Sequence, residues 1–288
     1  MNADGGDVDE VLSSLLGASK KYLVHDRVSK NAWLNPCHFI DKPASGILVT
    51  AKSTKCAQRM AQLFRQRGRA MQKEYLTVVT GHVSATASED RGEEQEVVLR
   101  HKVRNATGDE ARRMRRRLFV TGELDERRPS LHGKGEGARM KRKEKVKETD
   151  KEALLAYKVL RHFRAPKDGR ALSLLRVRLI TGRKHQIRAQ LAHIGHPIDM
   201  DTQYGTSDDP RGKIPQRIAL HAFALEFPHP VKQPDETAFR SRIQVTCNVP
   251  DFWRSAYGSQ VTEAIEMILH EISAASADDA DDNDDVTS

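Results

Sequence analysis

The sequence predicts an α+β fold, and three observations carry that prediction. Segments that alternate apolar with polar residues, the period of a half-buried strand, outnumber segments with helical spacing. The helical segments are interspersed irregularly and do not follow each strand as a regular α/β chain would require. No apolar run approaches the roughly 20 residues that a membrane-crossing helix needs, and no internal repeat is visible.

Taken in order, residues 1–30 carry little periodicity beyond the patch Val11-Leu12-Ser13-Ser14-Leu15-Leu16 and read as an N-terminal extension. Residues 46–51, with Ile47, Leu48 and Val49, predict a buried strand. Residues 54–68 predict a helix: Ala57, Met60, Ala61 and Phe64 fall at i, i+3, i+4 and i+7, and Gly68 suits its C-terminal cap. Residues 75–79 are β-branched and aromatic, which predicts a strand. The stretch 84–150 is polar and rich in glycine and charge. It reads as a basic, partly disordered insertion, with order returning at 153–163.

Residues 172–180 predict a strand in which Leu175, Val177 and Leu179 alternate with Arg176 and Arg178. Thr181-Gly182 breaks it, and 184–194 then reads as a helix with Ile187, Leu191 and Ile194 on one face. Residues 218–227 and 242–249 alternate as strands. An amphipathic helix follows at 261–274 through Val261, Ile265, Ile268, Leu269 and Ile272. The acidic tail, 275–288, cannot bury enough apolar area to offset its chain entropy and is expected to be disordered. Residues 31–260 thus form one body.

Charge is distributed unevenly along the chain. The 288 residues carry 48 Lys+Arg against 40 Asp+Glu, a net charge of +8. Residues 100–150 hold 17 basic and 9 acidic side chains, an excess equal to that of the whole chain, whereas the end from Asp278 holds six aspartates and no base. The runs Arg112-Arg113-Met114-Arg115-Arg116-Arg117 and Lys141-Arg142-Lys143 attract phosphate backbones by counterion release. The same charge equally suits a solvated loop that binds any polyanion weakly. Cys37, Cys56 and Cys247 are odd in number and widely spaced, so neither a disulfide framework nor a zinc pattern is expected. The first seven residues are small and acidic, unlike a secretory signal or an Arg-rich transit peptide.

Three segments carry chemistry. In Cys37-His38-Phe39-Ile40-Asp41-Lys42-Pro43-Ala44-Ser45-Gly46, a carboxylate sits in a turn that feeds a strand, where it is rigid yet reachable. Its plain structural reading is a turn held by Asp41, Ser45 and Gly46. Thr181-Gly182-Arg183-Lys184-His185-Gln186-Ile187-Arg188 places cationic and amide side chains at a helix start, a site that favours anions. Arg183 and Arg188 lie on different helical faces, so one can hold RNA while the other turns inward. Taken plainly, the segment is an exposed basic helix start. The third, Leu220-His221-Ala222, alone would be a strand bearing a hydrogen-bonded core histidine.

In this order the segments resemble the RluA-type RNA pseudouridine synthases. The family's H-R-L-D-x-x-T-S-G stands here as His38 to Gly46, and its K-x-Y as Lys73-Glu74-Tyr75, with Gly81 closing that strand. Its T-G-R-x-H-Q-I-R is matched at every fixed position from Thr181 to Arg188. G-H-P-I matches Gly195 to Ile198, G-D-x-x-Y-G is kept as Met200-Asp201-Thr202-Gln203-Tyr204-Gly205, and L-H-A is Leu220 to Ala222. The resemblance covers residues 35–82 and 153–255, about half the chain.

The resemblance implies the pseudouridine synthase catalytic fold, a mixed and mostly antiparallel sheet flanked by helices. It implies that Asp41 is the nucleophile, that Tyr75 stacks on the flipped base, and that Arg188 pairs with Asp41. RNA contacts are expected from His38, Phe39, Lys73, Arg183, Lys184, His185 and Gln186. Charge adds Arg112, Arg113, Arg115, Arg116 and Arg117 to that list. Neither metal nor organic cofactor is expected, because the reaction is an isomerisation. The chain departs from the family at Phe39, where an arginine is usual, at Ala44 for threonine, and at Met200 for glycine. The family's N-terminal sheet segment, with its K-P-x-G, is expected to be missing.

Two readings follow. In the first, the chain isomerises uridine to pseudouridine in ribosomal or other structured RNA. In the second, it is a catalytically silent relative that keeps the RNA-binding fold for ribosome assembly. The expected partners are RNA, ribosomal RNA foremost, and ribosomal assembly intermediates, with no membrane; the sequence fixes no oligomeric state. The long charged insert and acidic tail suggest a eukaryotic chain, and the family's bacterial ancestry favours a mitochondrial location over cytoplasm or nucleus.

Overall fold

The structure, a computed structural model, describes residues 24–25, 32–33, 35–65, 71–84, 96–113, 116–123, 150–205, 217–230 and 242–281. Short strands β1 (Val24–His25) and β2 (Ala32–Trp33) pair with each other, and β3 (Asn35–Pro36) pairs with β5 (Thr50–Ala51) around β4 (Ser45–Gly46). Next come α1 (Thr54–Arg65), β6 (Gln72–Thr80), β7 (Val97–Asn105), α2 (Gly108–Arg113), β8 (Leu118–Glu123), β9 (Lys151–Arg164) and β10 (Ala171–Leu179). The chain continues through α3 (Gln186–His193), β11 (Leu220–Pro228), β12 (Arg242–Thr246), α4 (Phe252–Tyr257) and α5 (Ser259–Asp281).

Eight strands make one sheet in the order β12-β11-β6-β10-β9-β7-β8, with β4 added alongside β11. Every pairing along that path is antiparallel, while β4 and β11 run parallel. The mixed, mostly antiparallel α+β architecture is therefore the one expected. Leu76 and Val78 of β6 with Leu174, Leu175 and Val177 of β10 form its apolar centre. Ile187 and Leu191 of α3 and Trp253, Tyr257, Val261 and Ile265 of α4 and α5 close over it. A smaller cluster sets Met60 of α1 against Leu225 and Phe227, with Ile47 and Val49 packed beside them. That cluster anchors the chain just after Asp41. Asp199 is buried and satisfied: the Tyr257 hydroxyl and the Arg170 guanidinium each donate to it, both at 2.9 Å. Among the described residues no helix is long and apolar enough to cross a membrane.

Three expectations change in detail. The strand at 46–51 is split into β4 and β5, because Gly46 takes φ +119 and turns the chain out of an extended path. Within the 84–150 insertion, residues 97–123 supply two strands and a short helix to the main sheet. Val97, Leu99, His101 and Val103 face inward there, against Val98, Arg100, Lys102 and Arg104. The alternation was hidden by the basic residues of the outward face. The basic run 141–143 lies outside the described residues. The last helix extends beyond 261–274 to Asp281, into the tail expected to be disordered. Ala274, Ala275, Ala277 and Ala280, the strongest helix formers, prolong it. Residues 282–288, and all of 1–30 except β1, lie outside the described residues. The cap expected at Gly68 lies outside them too.

Candidate active site

Asp41 opens a turn closed by the Ala44 N–H donating to the Asp41 carbonyl at 2.8 Å. The turn is bound to the sheet by the Ile218 N–H donating to the Pro43 carbonyl and the Ile47 N–H donating to that of Ala222. In the parallel pair, Gly46 lies so close to β11 that a Cβ would stand 2.2 Å from the Ala222 carbonyl oxygen. His221 adds a side-chain bridge, with Nδ1 2.8 Å from the Ser45 hydroxyl and Nε2 3.3 Å from the Cys247 thiol. His221 is thus the hydrogen-bonded core histidine of the plain reading, and Ser45 and Gly46 hold the turn.

The Asp41 carboxylate points at the start of α3. The His185 backbone N–H donates to it, and the His185 ring Nε2 lies 3.9 Å from Oδ1. His185 takes φ 55 to make this turn into the helix. Arg188, one turn further on, is 1% exposed and brings its Nη1 to 3.7 Å from Asp41 Oδ2. Its tighter partner is Asp201, which it meets in a two-pronged pair, Nε to Oδ2 at 2.6 Å and Nη2 to Oδ1 at 2.8 Å. Nη2 also donates to Gln203 Oε1 at 2.6 Å. Nη1 lies 3.3 Å from His185 Nδ1, and since a guanidinium only donates, that nitrogen is the acceptor and Nε2 carries the ring proton toward Asp41. Burial, with Arg188 and Lys184 nearby, lowers the His185 pKa to about 3, so the ring is neutral at physiological pH.

Tyr75 projects from β6, opposite Val177 of β10 and Ala222 of β11, into the same cavity as Asp41. Burial, and after it the Asp41 charge, pushes its phenol far up, so the hydroxyl keeps its proton. Burial likewise raises the Asp41 carboxyl above its ordinary value, against the opposing pull of Arg188 and the His185 N–H. The cavity, about 750 Å³, is lined by Phe39, Asp41, Tyr75 and Arg188, with Lys73, Arg183 and Lys184 among the cations around it. Its size lies within the range of small-molecule pockets. Among the described residues no group of three or more His, Cys, Asp or Glu side chains could hold a metal ion.

The other expected RNA contacts divide. Phe39 is 76% exposed at the cavity, Lys184 is exposed, and Lys73 lies 4.5 Å over the Phe64 ring. Arg183 reaches outward to donate to the Glu152 carbonyl, while Arg188 turns in. Two residues bond into the protein. The His38 imidazole accepts from the Val49 N–H at 3.1 Å and stacks on Phe64, so it holds the loop and does not line the cavity. Gln186 is buried, and its amide is occupied internally. Oε1 accepts from the Thr181 hydroxyl and the Arg183 N–H, and Nε2 donates to the Leu154 carbonyl. Gln186 therefore shapes the strand-to-helix turn. The side chains of Arg112 and Arg113, and all of Arg115, lie outside the described residues. Arg117 lines the cavity and Arg116 stands beside it. Asp201, Gln203 and Tyr204 had no assigned role; the segment Met200-Asp201-Thr202-Gln203-Tyr204-Gly205 was the available signal.

Comparison with known proteins follows the same lines. Residues 8–193 match the family model described as RNA pseudouridylate synthase. The chain is 26% identical over 243 residues to a tRNA pseudouridine synthase C of Haemophilus influenzae, covering 80% of each. It is 27% identical over 204 residues to ribosomal large subunit pseudouridine synthase D of Escherichia coli K12, covering 67% of this chain and 48% of that protein. The chain thus spans about half the length of the latter relative. Among solved structures, human RNA pseudouridylate synthase domain containing 1 superposes with a TM-score of 0.51 at 26% identity, over 75% of this chain and 69% of that one. The human domain containing 4 protein, at 18% identity and a TM-score of 0.52, covers 84% and 78% and supports the fold. With its mixed sheet, its carboxylate-bearing turn and a family match over residues 8–193, the chain belongs to the RNA pseudouridylate synthase family.

Proposed function

We propose that the chain isomerises uridine to pseudouridine in RNA, with Asp41 as nucleophile. The observation that carries this reading is the Asp41 carboxylate, 3.7 Å from the buried Arg188 guanidinium, in one cavity with the Tyr75 ring. As the C1′–N1 bond of uridine breaks, N1 keeps the electron pair and C1′ becomes electron-poor. An Asp41 oxygen bonds to or balances C1′. The freed uracil turns and joins C1′ through C5. C5 then loses its proton, N1 gains one and Asp41 is restored. Atoms and electrons balance within the substrate, so the step calls for no oxidant or co-substrate.

Each neighbouring group has a part. Arg188 favours the ionised form of Asp41 and orients it. The protonated Tyr75 offers a ring on which the displaced base stacks. The target base must leave its stack to enter, at about a few kcal/mol. Phe39, exposed at the cavity, supplies an apolar wedge for the gap left behind.

Ribosomal RNA is the favoured substrate, with the likeness to ribosomal large subunit pseudouridine synthase D in support. Transfer RNA, named in the other relative, is the competing outcome. A mitochondrial location and a place in ribosome biogenesis belong to the same reading. The test is tritium release from 5-tritiated uridine in ribosomal and transfer RNA transcripts. Release by the wild-type chain that vanishes in Asp41→Ala supports the reading. No release from any transcript, with RNA binding intact in both proteins, favours the silent scaffold.

A further inference from the structure

The β7–β8 hairpin reaches the cavity through Arg117, the one residue of 97–123 that lines it among the described residues. Its backbone is fixed with unusual redundancy. The Tyr204 hydroxyl accepts from the N–H groups of both Arg117 and Leu118, at 3.1 and 3.0 Å. The neighbouring Arg116 donates from Nε to the Gln203 carbonyl at 2.9 Å, and its guanidinium lies 5.7 Å from the centre of the Tyr204 ring. Gln203 and Tyr204 in turn donate their N–H groups to Asp201, the partner of Arg188. The start of β8 is therefore tied, bond by bond, to the network that orients Asp41.

The Arg117 side chain contrasts with that anchoring. It is exposed, and among the described residues no carboxylate pairs with it. Three neighbouring arginines are already engaged within the protein: Arg188 by Asp201, Arg183 by the Glu152 carbonyl and Arg116 by the Gln203 carbonyl. A guanidinium with no carboxylate partner among the described residues, on a backbone held at two N–H groups and beside a cavity that also carries Lys73 and Lys184, is built for an anion arriving from outside. A nucleotide entering base-first leaves its phosphates at the opening. An arginine fork suits phosphate better than a lysine point charge.

We infer that Arg117 is a phosphate-binding residue for the RNA strand at the target uridine, held in place by Arg116 and Tyr204. The inference rests on the isomerisation proposed above and deepens it. Half of this hairpin's charge need not touch RNA for this to hold; one guanidinium at the cavity does. Arg100, exposed on β7 and away from the cavity, is the internal comparison for diffuse charge.

The experiment measures binding of a fluorescein-labelled RNA hairpin with a uridine loop across a salt series, alongside tritium release from the same RNA. Arg117→Gln is expected to weaken binding about tenfold and to lower the salt slope by about 0.7–0.9, the value of one phosphate contact. KM should rise while kcat stays within about twofold, and Arg117→Lys should recover part of the affinity but not all. Arg100→Gln should change binding by less than about twofold. Equal effects of Arg117→Gln and Arg100→Gln would overturn the inference, as would a fall in kcat at unchanged KM. The binding arm does not depend on turnover. A position-specific loss of slope without tritium release from wild type would sink the isomerisation and keep the phosphate site.

Discussion

Arg188 holds Asp201 closely, at 2.6 and 2.8 Å, and stands off from Asp41 at 3.7 Å. The guanidinium is therefore neutralised chiefly by Asp201, and the Asp41 carboxylate is held by a longer, looser contact, as the proposed attack on a substrate carbon requires. Asp201→Asn removes the charge but keeps the shape, leaving a fully buried cation short of its partner. A loss of about 3 kcal/mol is expected, since breaking a buried pair exposes the other charge to an apolar interior. Urea unfolding measures it, and a change below about 1 kcal/mol would contradict the pairing described.

The raised Asp41 pKa fixes the direction of the pH dependence. In the proposed reaction the reacting form is the carboxylate, so turnover is expected to fall as pH drops through a pKa that burial holds above the ordinary ~3.9. An acid limb of kcat/KM at or below that ordinary value would be inconsistent with the buried carboxylate. Stability runs the other way. Above the unfolded pKa the buried charge costs the native state, and below it the cost is absent. Asp41→Asn should therefore abolish tritium release while raising the melting temperature at neutral pH.

Gly46 cannot carry a side chain. At φ +119, with the Ala222 carbonyl oxygen 2.2 Å from any Cβ, alanine must push β4 off β11. Because Asp41 lies five residues earlier in the same tethered turn, Gly46→Ala should lower kcat by about a hundredfold, the cost of misplacing a reacting group by about 1 Å. Normal kinetics in a folded Gly46→Ala protein would show that the turn is set elsewhere.

Met200 sits at φ 66, a left-handed conformation that costs a residue with a Cβ about 1–2 kcal/mol. Its side chain is 40% exposed, so little packing opposes its removal. Met200→Gly should raise stability by about 1 kcal/mol, or a melting temperature higher by about 2–4 °C. Scanning calorimetry would read a decrease if Met200 were instead held by packing.

Phe39 separates stability from function. Being exposed, it should be replaceable by alanine within about 0.5 kcal/mol. RNA turnover should fall nonetheless, with the loss in KM or kcat tracking duplex stability around the target base. Equal turnover on stable and unstable stems by wild type and Phe39→Ala would remove the wedge role.

Most of the fold was legible from periodicity where one period dominated. Leu175, Val177 and Leu179 mark β10, and Ile187 and Leu191 mark α3, because burial selected those positions directly. Periodicity failed at β7, where the outward face carries Arg100, Lys102 and Arg104 and the inward face includes His101. Charge there masks a strand that composition alone assigns to a loop. At the site, Asp41, Tyr75 and Arg188 were readable as residue types in a recognisable order. Asp201 was not, since nothing in a sequence tells which of two carboxylates an arginine will grip. The inward bonding of His38 and Gln186 was hidden for a related reason: a polar side chain beside a site can equally bond inward, and here the Val49 N–H and the Thr181 turn engage them.

The bridge from Ser45 to His221 spans 176 positions of chain, and it joins the parallel pair β4–β11. Contacts so distant along the polypeptide close late in folding, after the local hairpins have formed. During synthesis the basic hairpin would leave the ribosome well before β11 is available to dock the Asp41 turn. A nascent or prematurely terminated chain would carry positive charge without an assembled reaction centre. Docking of the Asp41 turn is thereby deferred until β11 has been made.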